Sequence, residues 1–561
     1  MGKGGEGVGG ASRLNTAASR STFRADLLAA FIVSVLLIPQ SLAYALLAGL
    51  PAQIGLYASL LPLIAYAALG SSPVLGVGPV AVLALMIAQT LGALPPGVSP
   101  AEGALVLAAE MGLILAAAAL LKLDALASLL SVPVLHGFET GATLAIALSQ
   151  LPVLLGSPIH GFDLPTLAQQ WAASGYAWQA LTASFGLGAC LLLQAARRGL
   201  PTAVARLAPL ALLLGAVLVA WQIDALGRGV TLVGSLPPLH LQPSLPRLDA
   251  SLWAALLPSS LLLALMGYVS SLAVAESLAR RRGERVDARR ELAGLAGANI
   301  AACLSGGMPV AGSFSRSILL HDAGSKTRWT MVFIAGLMGV AMWLLATPLA
   351  FLPKAVLAAT ILVAVLSGLR VAPYLDAWRY ARPEALLMGA VTVIVLCWSV
   401  AAGLGLGVLG SIALLLQRTA RPHVALIGRV PGTEHYRNVD RHAVECLAHV
   451  LGLRIDESLL FTNARSLTDV VQAHLAAHPD TERVVLLMSP VNGIDFSGLE
   501  ALRELHTALK RQGLKLDLSE VKGPVLDRLR ASGWQRWFDG EVFLSHHQGM
   551  SATAPAPTDV A

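Results

Sequence analysis

One arginine stands in an apolar, glycine-rich segment, and its position predicts an anion site. Arg316 lies in SGGMPVAGSFSRSILL, residues 305–320, with no acidic residue beside it. A guanidinium group at membrane depth costs roughly 2.5–3.5 kcal/mol even on a lenient insertion scale, so it rarely lacks a partner there. An anionic ligand is the natural counter-charge, and the hydroxyl groups of Ser313, Ser315 and Ser317 are candidate hydrogen-bond donors to it.

The alternative for Arg316 is a structural ion pair. Its partner would be a distant carboxylate such as Glu110 or Glu139. Ionisable groups in unusual environments mark functional sites, but structural ion pairs create such environments too. We favour the ligand and keep the ion pair as the alternative.

A second segment resembles the first. SSPVLGVGPVAVLALM, residues 71–86, also interrupts a helical pattern with Gly, Pro and Ser, about 230 residues before its counterpart. Paired interruptions of this kind indicate an inverted repeat with a binding site at the membrane midplane. A helix that begins inside the membrane leaves its first N–H groups without partners, and these groups and the positive dipole end bind anions. Kinked packing helices are the alternative, because Gly and Pro are common in transmembrane helices.

The composition shows what must position these segments. Of the 561 residues, 55% are hydrophobic and 13% are charged, which excludes an ordinary soluble enzyme and a disordered chain. The last 144 residues contain 33 of the 72 Asp, Glu, Lys and Arg residues. We therefore expect a membrane domain up to residue 417, followed by a water-soluble domain.

Stretches of about 20 apolar residues give fourteen predicted transmembrane segments. The final stretch, to Gln417, is long enough for two passes, with a predicted break at GLGLGVLG, residues 403–410. Under this count nearly every Arg and Lys cluster falls on one side, which places both termini in the cytoplasm. The net charge of +6 reflects these loops rather than nucleic-acid binding.

The sequence shows no sign of catalysis or metal binding. The four cysteines lie far apart, without a CxxC pair or a His/Cys cluster. We find no nucleophile beside a base and no nucleotide loop, so the sequence predicts neither an enzyme nor a cofactor.

Three motifs in order resemble the sulfate permease (SulP) family of anion transporters, called solute carrier family 26 in animals. They cover a first-span signature, a fifth-span region and the eighth-to-tenth-span region, and the resemblance extends over about residues 20–545. The motifs are IPQSLAYALLAGLPAQIGLY (38–57), SVPVLHGFETGATLAIALSQLPVLLG (131–156) and the run from Asp287 and Glu291 through Asn299 and Ser315-Arg316-Ser317 to Lys326-Thr327.

The resemblance implies a fold of two inverted repeats of seven spans, which form a core domain and a gate domain. The core would carry the anion past the gate like an elevator. The family's substrate pocket lies between the third and tenth spans and is also lined by the first. Carried over to this sequence, the pocket residues are Gln40 and Tyr44, then Pro79, Val80 and Ala81, and finally Phe314, Ser315 and Arg316.

The coupling ion is suggested by one departure from the family. Many bacterial relatives carry an acidic residue in the eighth span, where this sequence has Ser270. Its absence disfavours sodium, which prefers hard oxygen ligands, and leaves proton coupling through another carboxyl group. The candidates are Glu110 in the apolar fourth span, Glu139 near His136, and Glu276.

The last part of the chain alternates apolar strands with amphipathic helices, which predicts a helix-covered sheet. The expected strands are 446–455, 483–489 and 515–521, and the expected helices are 461–477, 497–513 and 524–533. VNGIDFSGLEAL (491–502) resembles the loop-to-helix motif of a STAS domain, the family's usual C-terminal module. Ser497 would cap the helix there, and Asp495 would be a turn residue.

The prediction as a whole is a proton-coupled sulfate importer in the cell (inner) membrane, forming a homodimer. The alternatives are a sodium-coupled bicarbonate transporter, a dicarboxylate transporter and an uncoupled anion channel. The predicted parts are a disordered N-terminus (1–19), a transport domain (20–417), a linker (418–436), a STAS domain (437–548) and a disordered tail (549–561).

Overall fold

The computed structural model describes residues 20–124, 130–159, 161–175, 177–201, 205, 207–235, 243–420 and 422–552. These residues form two compact units that divide between Ser411 and Ile412. The disorder predicted for residues 1–19 and 553–561 lies outside the described residues.

The first unit is helical. Among the described residues, eight helices are long and apolar enough to cross a membrane, and three shorter apolar helices have 10–17 residues. The unit is a helical membrane domain, while the count of fourteen spans stays a prediction. Its helices are α1 (Arg20–Leu47), α2 (Ala52–Tyr57), α3 (Leu61–Leu69), α4 (Ala81–Leu91), α5 (Pro100–Leu120), α6 (Val132–Leu155), α7 (Leu164–Ala173), α8 (Ala180–Gly199), α9 (Ala208–Gln222), α10 (Ala250–Arg282), α11 (Ala288–Leu304), α12 (Phe314–Asp322), α13 (Trp329–Leu349), α14 (Lys354–Leu366), α15 (Ala372–Tyr380), α16 (Arg382–Cys397) and α17 (Val400–Ala420).

The two interrupted segments meet, as their pairing in the sequence suggests. The chain is extended before α4 and again before α12, and the two extended pieces form a short antiparallel ladder of β1 (Val77–Gly78) and β2 (Ala311–Gly312). Val77 pairs with Gly312, and Gly78 pairs with Ala311. The ladder therefore brings the first residues of α4 and α12 close together.

The break predicted at residues 403–410 is wrong. The helical pattern stops at Trp398, between α16 and α17, and the glycine-rich stretch lies inside α17. A Cβ atom at Gly403 would collide with the side chain of Val395, and one at Gly407 would collide with Val134. These glycines allow close helix packing rather than a break.

The second unit contains a six-stranded sheet in the order β4-β3-β5-β6-β7-β8, in which β5 to β8 run parallel. The three predicted strands and the three predicted helices are confirmed. Leu453, Val484 and Leu505 lie in its apolar core. The elements are β3 (Val424–Arg429), β4 (Tyr436–Asn438), β5 (Val450–Ile455), α18 (Ala464–Ala477), β6 (Arg483–Leu487), α19 (Phe496–Arg511), β7 (Lys515–Ser519), α20 (Gly523–Ala531), β8 (Val542–Phe543) and α21 (His546–Ser551).

Both ends of this unit depart from the predicted boundaries. Strand β3 lies inside the segment predicted as a linker, because the alternating residues Ala425 and Ile427 are buried in the sheet. Helix α21 includes the first residues of the predicted tail, where Met550 is buried.

Candidate anion site

Arg316 joins the two interrupted segments. It lies in the first turn of α12 and is completely buried. Its Nη1 donates to the carbonyl oxygen of Pro79 at 2.7 Å, and its Nε donates to that of Gly76 at 3.4 Å. The guanidinium group of the second segment is therefore held by the main chain of the first.

The guanidinium group is not neutralised. A guanidinium group has five N–H donors, and among the described residues the two on Nη2 have no hydrogen-bond acceptor. The structural ion pair with Glu110 or Glu139 is wrong, because no carboxylate of the described residues lies within 4.0 Å of the Arg316 guanidinium group. Glu139 instead lies 3.9 Å from His136, and Glu110 Oε2 has no hydrogen-bond partner in the same described part of the chain. A buried cation with free donors is suited to an anionic ligand.

The starts of α4 and α12 supply further donors. The first intrahelical bond of α4 runs from Ala84 N to Val80 O, and that of α12 runs from Ser317 N to Ser313 O. The N–H groups that precede these bonds have no acceptor within their own helices, and neither helix has a side-chain cap. By contrast, α5 is closed by a capping box of Ser99 and Glu102. Uncapped N-termini that carry partial positive charge favour an anion.

Two glycines permit the close approach of Arg316. A Cβ atom at Gly76 would lie 2.8 Å from Arg316 Cβ, and one at Gly78 would lie 3.4 Å from Arg316 Nη2. Gly78 also has φ +153°, a conformation that favours glycine.

The serines around Arg316 differ in role. Ser317 is buried, and its hydroxyl group donates to Ser313 O at 2.6 Å while accepting from Gly76 N at 2.9 Å. Its single hydroxyl proton is already donated to Ser313 O, so the prediction that Ser317 donates to a ligand is wrong. Ser313 Oγ and Ser315 Oγ lie 3.2 Å apart, and Ser315, like Phe314, is exposed.

Helix α1 adds the remaining predicted residues. It packs against α4 and α12, and the buried Tyr44 interacts electrostatically with Arg316. Gln40 lies one turn earlier on the same face of α1, and its Oε1 is buried without a hydrogen-bond partner among the described residues.

The remaining predicted residues lie at the start of α4. Val80 is the residue before the helix, and Ala81 is its first residue. Pro79 contributes its carbonyl group to Arg316.

Three polar side chains that received no individual role in the sequence reasoning hold the segments in place. The fully buried Glu291 on α11 accepts from Tyr66 Oη at 2.8 Å and from Ser72 N at 2.9 Å. Asn299 bonds both the N–H and the carbonyl group of Val310. Ser271 accepts from Gly312 N at 2.8 Å. The signal in the sequence was a polar residue at intervals in apolar helices, but only the fold shows what each one bonds.

The three carboxyl candidates for proton coupling lie in different surroundings. Glu276 is exposed and lies 3.8 Å from Arg280, as expected for a residue among the arginines, and Glu139 is also exposed. Glu110 is buried in α5. Ser270 donates to Met266 O within its own helix.

In the C-terminal unit the predicted cap is wrong. Asp495 is the N-cap of α19, and its Oδ1 accepts from Gly498 N at 2.8 Å. Its Oδ2 accepts from Phe461 N, so the carboxylate joins two loops. Ser497 lies inside the first turn and is exposed, because the aspartate two residues earlier already satisfies the helix end.

Comparisons with known proteins agree with this architecture. The sulfate permease family model matches residues 23–391, and the STAS domain model matches residues 442–549. A probable sulfate transporter of Mycobacterium tuberculosis (strain CDC 1551 / Oshkosh) is 33% identical over 526 residues, covering 91% of this chain and 92% of the relative. The chloroplastic sulfate transporter 4.1 of Arabidopsis thaliana is 30% identical over 542 residues, covering 92% and 78%.

Solved structures show the same fold. The murine solute carrier 26 family member A9 anion transporter in the inward-facing state gives a TM-score of 0.85 at 22% identity, covering 94% of this chain and 91% of that one. The transmembrane domain of the cyanobacterial bicarbonate transporter BicA gives 0.59 at 20% identity, covering 69% and 97%. This likeness concerns the fold alone. Together with the family match over more than half of its length, it identifies the chain as a helical membrane protein of the sulfate permease family with a C-terminal STAS domain.

Proposed function

We propose that this chain is a secondary active anion transporter that takes up sulfate together with protons. The observation that supports it is the buried, unneutralised Arg316, whose free Nη2 lies beside two uncapped helix starts. Sulfate is the favoured anion because several similar relatives are named sulfate transporters.

The site has the means to replace the water around an oxyanion. Nη2 supplies charged N–H donors, and the starts of α4 and α12 supply main-chain donors. In a water-excluded site each interaction is stronger than in bulk solvent. Glu291 and Asn299 fix both segments, so the site can move as one body in an elevator motion of the core against the gate.

Glu110 is the favoured proton carrier. It is the buried member of the three candidate carboxyl groups, and burial disfavours its charged form. The proposal also includes a homodimer in the cell (inner) membrane with both termini in the cytoplasm.

The test is uptake of labelled sulfate into proteoliposomes, with and without an inward proton gradient. We expect saturable uptake that increases with the gradient and is lost in Arg316→Ala. Arg282→Ala is the matched control, because Arg282 also donates to a carbonyl oxygen but is paired with Glu284.

Three outcomes would revise the proposal. Vesicles that reject sulfate but take up bicarbonate, chloride or a dicarboxylate would overturn the substrate. Saturable uptake retained in Arg316→Ala would overturn the site. Flux that does not saturate would indicate a channel.

A further inference from the structure

A cavity lies between α5 and α10, away from the candidate anion site. Its volume is about 210 Å³. Trp253 belongs to its lining, and the indole N–H of this residue already donates to Arg247 O at 2.9 Å. One carboxyl group is therefore the polar feature of an otherwise apolar lining, formed by Glu110, Leu113, Ile114, Trp253, Ala254 and Leu257.

The carboxyl group lies at the middle of its helix. Glu110 is the eleventh of the 21 residues of α5, so it stands roughly 15 Å from each end at 1.5 Å per residue. Its exposed fraction is 3%, and the hydroxyl group of the fully buried Ser260 on α10 interacts with it. In the described part of the chain, neither Glu110 Oε2 nor Ser260 Oγ has a hydrogen-bond partner within 3.5 Å. The buried Glu110 Oε2 is thus left unsatisfied in the wall of an open volume.

The cavity opens sideways. Leu113 and Leu257 are 53% and 44% exposed, so the rim belongs to the outer face of the helical unit, which contacts lipid in a membrane. A buried water is held by two to four polar partners, and this lining offers few. The occupant should therefore be mostly hydrocarbon with one hydrogen-bonding end.

We propose that this cavity binds a lipophilic primary amine that enters from the bilayer. The hydrocarbon chain lies against the apolar lining, and the nitrogen lies at the carboxyl group of Glu110. The proton of the Glu110 carboxylic acid passes to the lone pair of the amine, giving an ammonium carboxylate pair without any other bond change. An ammonium N–H group then bonds Glu110 Oε2. An ionised fatty acid would place a carboxylate against Glu110 and has no N–H donors.

The cavity is separate from the anion site. Gly267 packs against Met111 and faces Ala311 near the start of α12, whereas Ser260 lies seven residues, or roughly 10 Å, earlier along α10. Binding of an amine can therefore be measured whether or not the chain transports sulfate, and the inference does not depend on the transport proposal.

The test uses Trp253 as the reporter. The full chain is placed in phosphatidylcholine nanodiscs, and bromine-tagged undecylamine is added, because bromine quenches tryptophan fluorescence on contact. We expect saturable quenching that disappears in Trp253→Phe, which separates this signal from the other nine of the ten tryptophans. Bromine-tagged undecanoic acid should bind at least tenfold more weakly than the amine.

Two variants and one matched control decide the result. Glu110→Gln should raise the half-saturating amine concentration at least tenfold, and Ala254→Phe should remove the saturable component by filling the cavity. Glu276→Gln, which removes an exposed carboxyl group from α10, should change nothing. Equal quenching by the acid and the amine, or an unchanged response in both variants, would overturn the proposal.

Discussion

The two units of this protein each bury an arginine, and they treat it differently. Arg483 in the C-terminal unit has Nη1 at 3.5 Å from Asp517 Oδ2, while its Nη2 donates to Gly549 O at 2.6 Å. Asp517 also accepts from Glu541 N at 2.7 Å. Arg316 in the membrane unit is more deeply buried, yet it has two main-chain carbonyl groups and no carboxylate within 4.0 Å among the described residues.

We propose that this difference separates a structural arginine, Arg483, from one that binds a ligand, Arg316. Arg483 is neutralised and shared between two elements, so its charge does nothing beyond holding them. The membrane unit has a buried carboxylate too, but Glu291 is occupied by Tyr66 and Ser72 and leaves Arg316 charged. The two arginines differ in their partners rather than in their burial: Arg483 has a carboxylate partner, whereas Nη2 of Arg316 has no partner among the described residues.

The largest expected effect comes from Arg483→Ala. Removing Arg483 leaves the buried Asp517 with Lys515 Nζ at 3.6 Å as its remaining charged partner. The loss of one partner of a buried ion pair costs about 3 kcal/mol of unfolding free energy. The loss of stability is measured by unfolding the full chain in urea and using proteolysis to monitor how much of the C-terminal unit is unfolded. Sulfate uptake per folded molecule should be unchanged.

Arg316→Ala is the matched comparison. It should lose anion binding while leaving the C-terminal unit as stable as before. The contrast between the two arginines fails if both variants lose stability equally, or if Arg483→Ala alone abolishes binding.

Acid should weaken the same C-terminal unit through His546. Burial lowers the pKa of His546 from 6.5 to about 4, and its Nδ1 lies 2.7 Å from Ser519 Oγ. Below pH 6.5 the imidazole of His546 therefore binds a proton in the unfolded chain, whereas in the folded domain it does so only at about pH 4. As the pH is lowered from 6.5 to 4, the unfolding free energy should fall by about 3 kcal/mol, at 1.36 kcal/mol per pH unit. His546 lies on α21, the helix that Arg483 holds.

The measurement is the urea midpoint of the C-terminal unit at several pH values. His546→Gln should flatten the dependence between pH 6.5 and 4, whereas the exposed His478→Gln should preserve it. An equal slope in all three proteins would exclude His546 as the cause. Asp539, with its pKa lowered to about 2 by Lys510 and His506, acts only at still lower pH.

A smaller effect is expected from Gly78→Ala, which tests the placement of Arg316. The added Cβ lies 3.4 Å from Nη2, and the alanine would have to adopt the φ of +153° that Gly78 has. We expect a cost of about 1–2 kcal/mol, seen as roughly tenfold weaker anion affinity. Gly97→Ala is the control, since Gly97 also has positive φ but has open space around it. An anion affinity in Gly78→Ala equal to that of the Gly97→Ala control would contradict the role of Gly78 in placing Arg316.

Much of the architecture could be predicted because it depends on local pattern. The change of composition near residue 418, the two interrupted segments and Arg316 are all visible in the sequence. What could not be predicted is which polar group bonds which. Ser317 appeared to be a ligand donor, because nothing in the sequence shows that Gly76 N and Ser313 O occupy it.

Other errors have the same origin. The glycines at 403–410 suggested a break, because close packing against Val395 is a tertiary property. Ser497 suggested a cap, because the sequence does not show that the Asp495 carboxylate turns back onto Gly498 N. Glu291 received no role, since its partners Tyr66 and Ser72 lie more than 200 residues away.

The uncapped starts of α4 and α12 have a consequence for how such a protein diversifies. Their donors belong to the main chain, so no exchange of one side chain for another, except an exchange to proline, deletes them while the helices persist. In the proposed anion site, mutations at neighbouring positions such as Gln40 or Phe314 would reshape the space available to the anion without removing the main-chain donors. New ion preferences are then reachable in single steps through intermediates that still bind.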